Sequence, residues 1–302
     1  MVPQHITKPG GRGFLAALGA FAIWGIFPLY FHPLRQVSSV QVIAHRVVWS
    51  CLFVLAWIAI RGEMPALRRT LVNKSVVWRL AGSATLITIN WLTYVWGVTH
   101  GHVIETSLGY FIGPLVNVVL GVGLLSEKLS TPQWIAVSLA VVGVGYLTAA
   151  TGSLPWIALT LALSFATYGL IRKVITVESL PGLATETLLL VPFAAAYLLW
   201  CEFTGIGSLG HAAPVVDALL IGSGPVTAVA LFLFAYGTRL LPYSTVGLLQ
   251  FITPTLQFMC GIFVLHEPFD RARAVGFTII WAALLIYAGE GVRLSNRRRE
   301  AG

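Results

Sequence analysis

The apolar run VQVIAHRVVWSCLFVLAWIAI, from Val40 to Ile60, carries a histidine and an arginine, His45 and Arg46, and ends only at Arg61. A guanidinium near the centre of a bilayer costs about 2.5–3.5 kcal/mol on insertion scales, so it must face the protein interior or a wet cavity. Arg46 lies about 12 Å from the start of its run at the rise of a helix, too far for the side chain to climb back to water. Groups that can meet it recur in other apolar runs. Asn90 and Tyr94 stand four apart in ITINWLTYVWG and share a helix face. At matching depth they can bind a planar or carboxylate-bearing solute with Arg46. Tyr110 can stack a ligand, and Gln250 and Gln257, seven apart, offer neutral hydrogen-bonding groups on one face. Trp24 and Tyr168 each stand beside a glycine and are expected to line the same cavity. Two carboxylates, Glu105 and Glu186, are candidates for gating or coupling; Glu105 can pair with Arg46 or carry a proton, although a carboxylate in the first turn of a helix is the simpler reading. Pro114 and Pro254 are expected to kink their helices as hinges. His45 points about 100° away from Arg46 on a helix and reads as a packing residue.

These residues need helices that hold them inside a membrane. Of 302 residues, 57% are hydrophobic and only 10% are charged, against roughly a quarter charged for a soluble domain. The chain therefore reads as an all-α polytopic membrane protein. A span needs about 20 apolar residues, which predicts ten helices over 14–33, 38–60, 77–98, 104–125, 132–150, 154–171, 183–202, 216–238, 243–265 and 273–292. With the N-terminus inside, fifteen of the 19 lysines and arginines fall in inner segments and three (Arg35, Arg271, Arg273) in outer ones. This bias places both termini in the cytoplasm and explains a net charge of +8 without nucleic acid. Cys51, Cys201 and Cys260 read as small core residues. No cofactor is expected, and the His100/His102 pair has no further ligand beside it to hold a metal.

The two halves of the chain resemble each other. FAIWG at 21–25 matches FATYG at 165–169, an offset of 144. PLVNVVLGVGLLSE from Pro114 to Glu127 matches PTLQFMCGIFVLHE from Pro254 to Glu267, an offset of 140, which also aligns Trp96-Gly97 with Tyr236-Gly237 and Phe111 with Phe251. Five spans is an odd number, so the second copy enters the membrane inverted. That predicts an N-terminal repeat over 1–151 and a C-terminal one over 152–302 with a short basic tail. Inverted repeats belong to secondary transporters with a site near the midplane. The offset of 140 pairs Arg46 with Glu186, in the outer and inner halves respectively, and the matched Glu127 and Glu267 are expected to cap or pair across tight loops. Gly109, Gly113, Asn117 and Gly121 form a small-residue stripe for close helix packing.

IAHRVVWS, the INWLTYVW to SLGYFIGPLVNVVLG block, LTLALSFATYGLIRK and LLQFITPTLQF with HEPF resemble the RarD group of the EamA-type drug/metabolite transporter (DMT) superfamily, over about residues 12–290. The resemblance implies ten helices in an inverted five-plus-five pair in the plasma membrane. It implies a permease, expected to export a small amphipathic metabolite, amino-acid-like solute or drug by alternating access, with a proton as the candidate coupling ion and a monomer or weak homodimer as the assembly. The competing classes are an integral-membrane enzyme and a receptor. Asp217 and Asp270 are the only aspartates, too few for a diphosphate site, there is no H-E-x-x-H and no Walker A loop, and the loops are too short for a sensor domain.

Overall fold

The computed structural model describes residues 11–125, 130–240 and 249–300, and these residues form helices and no strands. The chain opens with α1 (Gly11–Gly25) and α2 (Phe27–Phe31), continued by a 3₁₀ turn, His32–Leu34. Then follow α3 (Ser39–Ile60), α4 (Met64–Val72), α5 (Lys74–Thr99), α6 (Val103–Leu125) and α7 (Thr131–Thr151). The remainder comprises α8 (Trp156–Val174), α9 (Ser179–Phe203), α10 (Pro214–Leu240), α11 (Ile252–Met259) with a π-helical turn at Cys260–Val264, and α12 (Arg271–Glu300). Among the described residues, five helices are each long and apolar enough to cross a bilayer, and the bent pair Arg12–Gly25 and Phe27–Leu34 makes a sixth. Val103–Val116, Trp156–Arg172 and Ile252–Val264 are shorter apolar helices.

Three local departures from the straight apolar runs expected of the sequence have chemical causes. The first span bends by 45° at Ile26, because Pro28 has no N–H to return to the carbonyl of Trp24 and its ring crowds that carbonyl. The segment between the second and third spans is not a plain loop. Met64, Leu67 and Leu71 recur at helical spacing and Pro65 fits a first turn, so α4 forms, burying Leu67 and Thr70 and exposing Arg68 and Arg69. The run that contains Pro254 breaks at Gln250–Phe251, and Pro254 stands in the first turn of α11, where a missing N–H costs little. Pro114, by contrast, is inside α6. Between α7 and α8, Gly152 at φ 70° ends the helix in the left-handed conformation that glycine adopts readily.

The most extensive helix contacts join the two halves. The α5–α8 contact has its counterpart in α10–α1, α10–α3 in α5–α9, and α6–α8 in α1–α11. In addition α3 packs on α9, α6 on α11 and α7 on α12. Glycines set the closest approaches. A β-carbon on Gly97 of α5 would lie 2.6 Å from Thr106 and 3.6 Å from Ile157 of α8; one on Gly237 of α10 would meet the Ala17 nitrogen at 2.7 Å and the Gly13 oxygen at 2.9 Å in α1. Where α3 crosses α10, a β-carbon on Gly224 would fall 2.4 Å from the backbone of Trp49 and Ser50. Gly109 presses on the Ala158 carbonyl of α8, whereas Gly113 has open space beside it, so the expected small-residue stripe makes close contact at one of these two positions. What Asn117 and Gly121 meet lies outside the described residues.

Candidate functional site

The close α3–α10 crossing at Gly224 brings Arg46 to Thr227, whose hydroxyl accepts from Arg46 Nε at 2.9 Å. Arg46 is 3% exposed, and its guanidinium sits among rings. Its carbon lies 4.1 Å from the Trp91 ring centroid and 5.6 Å from those of Phe27 and Phe31. Desolvated cation–π contacts of this kind contribute about 2 kcal/mol or more, enough to offset much of the insertion cost. The bend at Ile26 matters here, since it turns Phe27 and Phe31 inward, where both are buried. Tyr94 and Tyr110 complete the enclosure, with ring centroids 5.8 Å apart.

Asn90 joins this cluster as a brace. Its Nδ2 donates to the Leu161 carbonyl at 3.0 Å and to Ser164 Oγ at 3.1 Å, both on α8, and its Oδ1 accepts from the Tyr110 hydroxyl at 3.2 Å. The amide is saturated by the protein, so what it does is fix the Tyr110 hydroxyl and tie α5 to α8. His45 is buried as well.

The second charge, Glu186 of α9, is 2% exposed. Ser83 Oγ of α5 donates to its Oε1 at 2.5 Å, Arg172 Nη1 of α8 lies 3.7 Å from the same oxygen, and the Tyr168 hydroxyl faces the carboxylate. Oε2 is buried without a hydrogen-bond partner. The two charges use corresponding helices. Arg46 on α3 reaches a hydroxyl on α10, and Glu186 on α9 reaches a hydroxyl on α5. Ser83 plus 140 is Ser223, one turn from Thr227, and the Thr227 hydroxyl donates to the Ser223 carbonyl at 2.7 Å. An unbroken ladder of rings joins the two centres, with centroids 6.3 Å apart for Phe31–Tyr94, 5.8 Å for Tyr94–Tyr110, 6.1 Å for Tyr110–Phe165 and 6.1 Å for Phe165–Tyr168.

Other expected site residues stand elsewhere. Glu105 does not pair with Arg46. It is at the start of α6, against the backbone N–H groups of Ile157 and Ala158 and 3.8 Å from His102 Nδ1, so it serves the N-terminus of α8. Gln257 donates from Nε2 to the Trp24 carbonyl at 3.0 Å, the very carbonyl that Pro28 leaves without an N–H. The Gln257 Oε1 is buried without a partner. Thr253 adds a bond to the Phe21 carbonyl at 2.9 Å, so α11 clamps the bent first span. The Trp24 ring packs on Phe21 and Phe234 and borders the core that holds Phe27, Phe31 and Tyr94, and Gln250 is half-buried before α11. Glu267 is a cap: its two oxygens accept from the Val103 and Ile104 N–H groups, at 2.5 and 2.8 Å, at the start of α6. Its partner by repeat, Glu127, lies outside the described residues. Sequence reading missed Thr227, Ser83, Trp91, Phe27, Phe31 and Arg172. The arginine at the end of a span and the hydroxyls at 83 and 223 were signals in plain view.

Residues 11–149 match the EamA-like transporter family. The chain is 43% identical over 294 residues to an uncharacterized transporter of Pseudomonas aeruginosa, covering 96% of this chain and 98% of that one. It is 40% identical over 291 residues to the protein RarD of Escherichia coli, covering 96% and 98%. A solved crystal structure with 16% identity superposes with a TM-score of 0.59 over 91% of this chain and 96% of the other, a likeness of fold.

Proposed function

Because the chain belongs to the RarD group of the EamA-like transporter family, within the drug/metabolite transporter superfamily, and is a multi-pass membrane transporter of a small molecule, we propose that it is a secondary exporter of the plasma membrane. It moves an amphipathic metabolite, amino-acid-like solute or drug by alternating access, with both termini in the cytoplasm. Its repeats, 1–151 and 152–302, form an inverted five-plus-five pair of ten spans. The exchange of helix contacts between the halves supports this pairing, as does the matched seating of Gly97 on α8 and Gly237 on α1.

The observation that carries the reading is the pair of buried charges, Arg46 and Glu186, each held by a hydroxyl of the opposite half and joined by the ring ladder. Buried ionisable groups inside a span mark solute and ion pathways. Solute binds at the rings near Arg46, with Tyr94 and with Tyr110, whose hydroxyl Asn90 holds in place, while Trp24, fixed through its carbonyl by Gln257, borders the same core. Glu186 with Tyr168 forms the inner centre, where a carboxylate can exchange a proton as coupling ion. Pro114 lets α6 flex beside Tyr110. The protein works as a monomer or weak dimer. Flux in sealed vesicles tests this. Purified protein should carry a solute found by comparing metabolites of overproducing and deleted cells, and Arg46→Gln and Glu186→Gln should each cut that flux at least tenfold at normal expression. Undiminished flux in both variants overturns the placement of the pathway.

A further inference from the structure

On the premise that the Arg46 cluster is the transport site, we propose that Arg46 and Tyr94 form an anion subsite that takes the carboxylate of a small aromatic solute. The cluster holds donors without acceptors. Arg46 Nε is used by Thr227, but neither Nη finds a hydrogen-bond acceptor, and no aspartate or glutamate comes within ion-pair distance of the guanidinium, among the described residues. The Tyr94 hydroxyl is buried and has no partner. Rings stabilise the cation through their faces, yet they cannot accept the in-plane Nη–H donors. A buried charge is normally paired and hydrogen-bonded. Here the hydroxyl groups of Tyr110, Tyr94 and Tyr30 are the polar neighbours within electrostatic reach of the guanidinium, and those of Tyr110 and Tyr30 already donate, to Asn90 and to the Leu219 carbonyl.

The missing partner is thus an anion that comes and goes. A carboxylate matches the paired donors of a guanidinium in a bidentate fork and leaves one oxygen lone pair for the Tyr94 hydroxyl. One guanidinium neutralises one negative charge, which favours a monocarboxylate over a phosphate dianion. The walls, Trp91 at 4.1 Å from the guanidinium carbon with Phe27, Phe31 and Tyr110 around it, suit a flat ring attached to that carboxylate. A solute whose only charge is cationic meets like charge and no carboxylate to pair with, among the described residues.

The test is thermal unfolding of the purified full chain in detergent with benzoate, phenylacetate and 3-phenylpropionate, their amides, phenethylamine, and sodium chloride at equal ionic strength. The carboxylates should raise the melting temperature in a saturable way, and the amides and the amine should not. Arg46→Gln should raise the half-saturating concentration at least tenfold. Tyr94→Phe, which keeps the charge and the packing, should raise it several-fold and so decides the matter even where Arg46→Gln fails to fold. Equal stabilisation by the amides, unchanged binding in Tyr94→Phe, no shift with any of the three acids, or a chloride effect that accounts for the whole shift would each overturn the subsite. Vesicles that still carry a neutral solute after such a result would leave the transporter reading standing, whereas a protein that binds the acids but moves nothing would overturn transport and keep the subsite.

Discussion

Arg46 and Glu186 are the residues on which the chemistry turns, and their surroundings predict different consequences of substitution. Arg46 is held by one hydrogen bond and three ring faces. Lysine keeps the charge but loses the planar contact with Trp91 and the fork of donors. Arg46→Lys should therefore fold and retain less than a tenth of the wild-type flux, measured in vesicles at matched protein content. Glu186 has Ser83, Arg172 and Tyr168 about it and an orphan oxygen. If it carries the coupling proton, Glu186→Gln can neither take nor release one. The variant should lose the dependence of net flux on an imposed pH gradient while solute-for-solute exchange continues. A Glu186→Gln protein whose flux still follows the gradient would remove the residue from coupling. The existence of both buried charges was legible in the sequence, since a charged residue in an apolar run is conspicuous. Their partners were not. Depth along a helix can be counted from residue numbers, but the rotation that sends Arg46 to Thr227 rather than to Asn90 or Glu105 is set by packing at Gly224.

Helix ends and breaks form the next scale, and here side chains substitute for missing backbone bonds. Pro28 orphans the Trp24 carbonyl, and Gln257 supplies the replacement donor at 3.0 Å. Gln257→Leu would leave that carbonyl unsatisfied in a buried setting, which costs about 1–3 kcal/mol. The same logic applies to Glu267, whose carboxylate satisfies two of the first N–H groups of α6. Loss of such a cap costs about 0.5–2 kcal/mol. Both variants should unfold at lower temperature than wild type in detergent, and Glu267→Gln, which keeps one acceptor oxygen, should lose less than Glu267→Ala. An unchanged melting temperature for Glu267→Ala would show that the cap contributes nothing. At this scale the positions of the apolar segments were readable, because each of the ten expected runs overlaps a described helix. The bend at Ile26 and the amphipathic α4 were not read, although Gly25, Pro28 and the Met64–Leu67–Leu71 spacing signalled them. Hydropathy averages over a window and hides both a break at the single residue Ile26 and the nine-residue α4.

For the molecule as a whole, the repeat offset of 140 turns local geometry into a statement about motion. If the halves are inverted relatives, Thr227 beside Arg46 and Ser83 beside Glu186 are near-equivalent positions that open to opposite faces of the membrane. Only one of the two faces can be open at a time in an alternating-access cycle. Each residue is buried and carries a hydroxyl, so cysteine is a small change at either. The native cysteines Cys51, Cys201 and Cys260 are free and buried, and replacing them with alanine gives a background for labelling. On that background, Thr227→Cys should react with a membrane-impermeant maleimide added outside the cell, and Ser83→Cys with the same reagent added to inverted vesicles. A bound solute that raises the labelling of one should lower that of the other by a similar factor, since both report a single equilibrium between two states. Labelling of both positions from the same face contradicts the inverted arrangement, and labelling that rises together at both contradicts alternating access while leaving the inversion intact.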